Sequence, residues 1–397
     1  MTTPGQASGL VLRGLNVLDR TGAFSGPLDV AAQDGRIEAV GHALPRRPEA
    51  REIDAAGLWL MPGVFDCHVH IAYSTFDEVE LAGLPAAERA AETAGALRRS
   101  LRAGVTTLRD AGGAREELRE LAAGSPAPGP RLQLCLAALE PPGDCAASAL
   151  GCTPRTSSPQ DVRRAVRELR ARGADWIKLM ATPGVLSGAD PCLPLFGDEA
   201  ISAAADETAR LGGRLMVHAH GGPALRAAVV AGAHSIEHAL FLSEEDARLM
   251  ARHDCTLVPT LAIYFELAAP EASRLGAAAQ MAADLVPRLG EAVRVARAAG
   301  VRVAAGTDFA HRDQHGRNLI ELLHLRRAGL SAGEALLAGT ANGASLCGVG
   351  DRLGRIAAGS TFDALLLDED PGDLSCFGRA DAVTGVFLAG ETWVREH

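Results

Sequence analysis

SPQDVRRAVRELRARGADWIKLMA, residues 158–181, decides the fold. It reads as a helix followed by a strand. Ser158 suits a helix N-cap, because its hydroxyl can accept from an unpaired N–H of the first turn. Gly173 suits the position just past the last turn, where a left-handed residue is favoured. The run DWIKLMA (175–181) then has the length and apolar character of a buried strand. The same stretch holds the only lysine: of 39 Lys and Arg residues, 38 are Arg and one is Lys178.

Working outward, the alternation recurs. VFDCHVH (64–70), VTTLRDA (105–111), RLQLCLAA (131–138), DWIKLMA, RLMVHAH (214–220), HSIEHA (234–239), CTLVPTL (255–261) and RVAAGTD (302–308) are eight candidate strands. Helical segments such as GDEAISAAADETARLGG (197–213) separate them. Repeated strand–helix units over this length predict an α/β protein with a (β/α)8 TIM barrel, residues 63–350. The two ends are different. LVLRGLNVLD, LDVAAQDGRIEAVG and REIDAAGLWLMPG near the start, and RLGRIAAGSTFDALLLDED and AVTGVFLAGETWV near the end, are strand-like pieces separated by turns. They predict one small β-sandwich domain assembled from 1–62 and 351–397.

Composition narrows the function classes. The 397 residues are 47% hydrophobic and 22% charged, enough for one large core and a small second one. A net charge of −10 argues against a nucleic-acid or anionic-membrane partner. No apolar stretch is long enough to span a bilayer, and MTTPGQASGL does not have the pattern of a secretory signal. Eight scattered cysteines without a CxxC pair suit reduced thiols, so a cytoplasmic protein is expected. A small-molecule substrate is expected, and a homo-oligomer is left open.

The chemistry-bearing residues fall at the ends of the candidate strands, where a barrel builds its active site. His68 and His70 close the first strand, Lys178 lies on the fourth, His218 and His220 close the fifth, His238 closes the sixth, and Asp308 closes the eighth. The spacing of two residues puts His68 and His70 on one side of a strand, able to grip one ion together. Imidazole and carboxylate suit zinc or a similar divalent metal. A protonated lysine would repel such a cluster. A neutral amine, favoured by the apolar flank of Lys178, can add CO2 and become a carbamate whose two oxygens bridge two cations. Arginine stays protonated and cannot do so. Among the remaining histidines, His234 reads as structural, His42, His253 and His397 as surface residues, His311 and His315 as residues of the site mouth, and His324 as helical.

MPGVFDCHVHIA, AGVTTLRDAGG, DWIKLMATPGVLS, RLMVHAHGG, AGAHSIEHALFL, PTL, AGTDFAHRDQHGRNLIEL and GRIAAGSTFDALLLDEDP together resemble the amidohydrolase superfamily, in order and over nearly the whole chain. They are similar in particular to its binuclear branch, which includes Xaa-Pro dipeptidases, carboxypeptidases of N-acyl amino acids and the ochratoxin-hydrolysing amidase. The resemblance implies a barrel with a β-sandwich from both termini, and two divalent ions, zinc in the first instance. It implies that His68, His70 and Asp308 hold the more buried ion, that His218 and His238 hold the more exposed one, and that carbamylated Lys178 bridges them. It implies Asp308 as acid and base and His220 as a group beside the substrate. It also implies cleavage of an amide next to a free carboxylate, for which Tyr264, Arg312 and Arg317 are the candidate receivers. Hydrolysis of a cyclic amide, lactone or imidazolone ring remains an alternative, and a non-catalytic binding protein a remoter one. Two departures stand out. The loop 139–159 carries Cys145 and Cys152 where relatives often carry Gly-Gly-His, and Pro183 occupies a usually Gly-rich position.

Overall fold

The computed structural model describes residues 9–394, apart from 77, 124–128, 142–155, 157, 185–186, 188 and 380. Cys145 and Cys152 therefore lie outside the described residues. The strands in chain order are β1 (Leu10–Leu18), β2 (Phe24–Gln33), β3 (Arg36–Gly41), β4 (Arg51–Asp54), β5 (Trp59–Pro62), β6 (Val64–Val69), β7 (Val105–Asp110), β8 (Arg131–Leu134), β9 (Ala138–Leu139), β10 (Trp176–Met180), β11 (Arg214–Ala219), β12 (Ser235–His238), β13 (Thr256–Val258), β14 (Ala364–Leu367), β15 (Val383–Leu388) and β16 (Glu391–Val394).

The two chain ends share one mixed eight-stranded sheet. Its order is β16-β15-β14-β5-β1-β2-β3, with β4 also paired to β1. Leu12, Leu15, Val30, Ile37, Leu60, Phe362 and Phe387 fill its own apolar core, where the rings of Phe362 and Phe387 stack at 4.7 Å. This sheet is the β character read at both termini, joined across more than 300 residues by the β14–β5 ladder.

The middle of the chain forms two parallel sheets, β6-β7-β8 and β9-β10-β11-β12-β13. Two departures from the expected strands link them. The segment read as one strand over 131–138 is broken at Leu136, which has φ +66°, so β8 belongs to one sheet and β9 to the other. The segment 302–308 forms no regular strand. Single bridges stand in its place, Val303 with Leu257 of β13 and, one residue beyond the segment, Phe309 with Val69 of β6. Its main-chain groups are divided between several neighbours: Cys67 N–H donates to Ala305 O (2.8 Å), Ala304 N–H to Leu257 O (2.9 Å), and Ala305 N–H to Ala338 O (3.0 Å). Gly306 is required there, because a Cβ would lie 2.8 Å from the His68 nitrogen and 2.6 Å from Val258.

The helix Pro159–Ala171 shows why the alternation works. Ser158 Oγ accepts from Asp161 N–H at 3.1 Å, and Gly173 has φ +89° after the last turn. Val162, Ala165, Val166 and Leu169 repeat at the spacing of one helical face, and all four are buried. Arg163, Arg164 and Arg167 face outward into ion pairs with Asp206, Asp161 and Glu207. Among the described residues, no helix is long and apolar enough to cross a membrane.

Candidate metal centre

The site forms where β6, β10, β11, β12 and the segment 302–309 end together. His68 is buried on β6, and its Nε2 lies 3.3 Å from Asp308 Oδ1. His70 Nε2 lies 3.3 Å from the same oxygen. One donor atom from each of the three residues falls within 4.8 Å of the others, the reach of one shared cation. Asp308 points there because its backbone turns left-handed, φ +59°. Asp66 holds that turn by accepting from Thr307 N–H (3.0 Å), Thr307 Oγ1 (2.6 Å) and Asn318 Nδ2 (2.8 Å). Burial alone would raise the Asp308 pKa, but the imidazoles of His68, His70 and His238 hold it well below the usual carboxylate range.

The second group stands beside the first. The His218 and His238 ring centroids are 4.4 Å apart, and His68 lies 5.1 Å from His238. His218 donates Nε2–H to Pro183 O at 3.2 Å, which leaves Nδ1 for the centre. Thus the residue that departs from the usual Gly-rich pattern supplies the carbonyl that orients the His218 ring. His238, left-handed at φ +70°, has its Nδ1 2.6 Å from Thr260 Oγ1. Burial, and then neighbouring imidazoles, push the pKa of both residues well below the ordinary histidine value. That favours the neutral form a metal ligand would need.

Lys178 is buried on β10, and its Nζ has no hydrogen-bond partner among the described residues. Burial lowers its pKa, although Glu237 and Asp308 pull the other way. His220 is also buried with both ring nitrogens unpartnered, 4.6 Å from His218 between ring centroids, and burial lowers its pKa to about 3. Orphaned buried polar atoms are costly and rare. Orphaned nitrogens of Lys178 and His220 aimed among imidazoles and a carboxylate fit a divalent-metal centre with bound substrate.

A family model for the amidohydrolase family matches residues 59–393. The chain belongs to the amidohydrolase family. Its relatives include the ochratoxinase of Aspergillus niger, 31% identical over 367 residues, covering 84% of this chain and 75% of that protein. They also include the imidazolonepropionase of Acidiphilium cryptum, 28% identical over 383 residues, with 86% and 87% covered. Among solved structures, a prolidase complexed with N-methylphosphonate-L-proline superposes with a TM-score of 0.90 at 30% identity, over 98% of this chain and 100% of that one. The A. niger ochratoxinase structure superposes with a TM-score of 0.84 at 26% identity, with 98% and 96% covered. This amidohydrolase is therefore a hydrolytic enzyme acting on carbon–nitrogen bonds.

The candidate substrate residues of this amidohydrolase separate into an inner and an outer set. Tyr264 is buried on the helix Leu261–Ala268; burial, and then the charge of Asp308, raise its pKa well above the ordinary value. Arg312 already pairs with Glu80 (3.4 Å) and Glu92 (3.3 Å), and Arg317 with Glu266 (2.8 Å). His311 stacks on Phe76 at 5.7 Å, and His315 is buried nearby. His234 packs its edge against Trp176, and His324 lies on the helix Ile320–Arg327, stacked on Phe265 at 4.1 Å.

Sequence reading missed Arg109, Glu237 and Glu321, which hold the rings and turns around the candidate centre. Glu237 precedes His238, is buried, and accepts from His68 Nδ1–H at 2.6 Å. Arg109, also buried, grips both Glu237 oxygens at 3.0 Å. Asp110 accepts from Ile71 N–H (3.1 Å) and Gly112 N–H (3.0 Å), and Gly112 O in turn accepts His70 Nδ1–H at 3.0 Å. Burial raises the Asp110 pKa to about 6. Glu321 accepts from Leu261 N–H and Ala262 N–H at 3.0 and 2.7 Å, holding the turn that carries Thr260. A charged residue inside an apolar strand, as in TLRD or SIEH, was the available signal.

Proposed function

We propose that the protein is a metal-dependent hydrolase that cleaves a peptide or N-acyl amino acid amide next to a free carboxylate. The observation that carries the reading is the buried, unpartnered Nζ of Lys178 among His68, His70, His218, His238 and Asp308. The names of the prolidase and ochratoxinase relatives support an amide substrate. We further propose that the two parallel sheets, linked at both edges, are one closed (β/α)8 barrel over 63–350, with 1–62 and 351–397 as a β-sandwich domain.

His68, His70 and Asp308 would hold one divalent ion and His218 and His238 a second, zinc being suited to this donor set. Lys178 would reach both as a carbamate: its neutral amine adds CO2, an N–C bond forms and a proton is lost. When bound, the ions supply a water acidified toward neutral pH and a Lewis acid for the amide carbonyl. Asp308, ionised at neutral pH, takes the proton from the attacking water and passes it to the leaving nitrogen. His220, neutral and buried, donates an imidazole N–H to the carbonyl oxygen as negative charge develops on it. Tyr264, within the field of Asp308, contacts the substrate from the inner wall, while Arg312 and Arg317 would have to leave their acidic partners to receive its carboxylate.

A panel of dipeptides, N-acyl amino acids, lactones and cyclic imides tests this. Turnover should be confined to open-chain amides bearing a free carboxylate. Preference for a ring substrate would reject the proposal in favour of the alternative that the imidazolonepropionase relative represents.

A further inference from the structure

We infer that Arg109 and Glu237 form a positioning pair that fixes the tautomer and ring plane of His68 and so sets the affinity of one metal site. This rests on the metal-dependent reading above.

A neutral imidazole carries one N–H, and an ionised carboxylate only accepts. Glu237 Oε2 sits 2.6 Å from His68 Nδ1, so the hydrogen is on Nδ1. Nε2 then presents its lone pair to the space shared with His70 Nε2 and Asp308 Oδ1, 3.3 Å from the latter. Glu237 is itself fixed. Arg109 Nη2 donates to both of its oxygens at 3.0 Å, and Ser235 Oγ donates to Oε1.

Arg109 is fixed in turn on every side. Its Nη1 donates to Ser235 Oγ at 2.9 Å and its Nε donates to Cys67 O, the carbonyl directly before His68. The guanidinium lies 4.5 Å over the ring of Trp176. One side chain from β7 thus ties together β6, β10 and β12, all of which contribute ligands to the centre. Neither Arg109 nor Glu237 has measurable exposure.

The other ligating imidazoles are held by neutral groups: His70 by Gly112 O, His218 by Pro183 O, and His238 by Thr260 Oγ1. Among the described residues, only His68 of these four rings has a carboxylate within hydrogen-bond distance of the nitrogen turned from the centre. A carboxylate on the far nitrogen makes an imidazole a stronger metal ligand, and loss of such a partner costs 10–100-fold in metal affinity. A buried ion pair contributes little net stability compared with a well-packed neutral replacement, so stability alone does not account for it.

The test uses the full-length protein, freed of metal with a chelator and titrated with zinc ion against a chromophoric competitor. Wild type should bind two ions. Glu237→Gln should bind one of them ~10–100-fold more weakly and leave the other unchanged. The double variant Arg109→Met with Glu237→Gln removes both charges; it should recover melting temperature relative to Glu237→Gln while its zinc affinity stays low. Recovery of both melting temperature and affinity would make the pair merely structural and overturn the inference. So would wild-type affinity at both sites in Glu237→Gln. If Glu237→Gln does not fold, Arg109→Lys keeps the charge but loses the fork; it should weaken the same site ~10-fold, and wild-type affinity would again overturn the inference. A wild-type chain that binds no zinc would instead overturn the underlying metal reading, and this inference with it.

Discussion

HVH at 68–70 and HAH at 218–220 have the same spacing, and the structure uses them differently. In the first pair, both imidazoles donate Nδ1–H backward, to Glu237 and to Gly112 O, and both turn Nε2 toward Asp308. In the second pair, His218 donates Nε2–H to Pro183 O and keeps Nδ1 for the centre, whereas His220 has no partner for either nitrogen. Spacing puts two histidines on one face of a strand. The groups behind the rings decide which nitrogen faces inward.

The largest effects should come from breaking that contrast directly. His68→Ala should lose its metal and at least ~1,000-fold in turnover, because a ligand is gone. Asp308→Asn should keep most of its metal and lose most turnover, because an amide can ligate but cannot carry the proton. His220→Ala should keep both metals and lose ~100-fold or more in kcat. Elemental analysis alongside kinetics separates the three, and a metal-depleted His220→Ala would erase the distinction between the pairs.

A histidine outside the centre sharpens the same lesson. His324 is stacked on Phe265, and burial, with Arg327 and Arg317 nearby, lowers its pKa from 6.5 to about 4. Between those values the unfolded chain binds a proton that the folded chain does not, so stability falls as pH falls through that window. Denaturant unfolding near neutrality and at pH ~4.5 should show a smaller acid-induced loss in His324→Leu than in wild type, by up to ~3 kcal/mol. Equal losses would show that this ring titrates normally.

The smallest effects belong to the rim. Arg312 and Arg317 are partly exposed and already paired with acids. Each change to Ala should alter stability by less than ~0.5 kcal/mol. A large rise in KM with kcat unchanged would show that one of them leaves its acid to bind substrate.

Much of this was legible in the sequence because strand periodicity and ligand type are local properties. The helix at 159–171, the strand bearing Lys178 and the β-rich ends all read correctly from short windows. What was not legible depends on distant partners. Strand-like RVAAGTD divides its hydrogen bonds between β6, β13 and Ala338, so it never forms a regular ladder. RLQLCLAA breaks at Leu136, a residue with no turn signature of its own. Arg109 and Glu237 lie 128 positions apart, and nothing in either window announces that they meet beneath His68.

The most direct measurement is the metal content of the purified wild type beside that of Lys178→Arg. About two divalent ions per wild-type chain are expected, and their loss in the variant, since a guanidinium can neither form a carbamate nor shed its charge. One ion or none in the wild type, with the same value in Lys178→Arg, would contradict a centre bridged by Lys178.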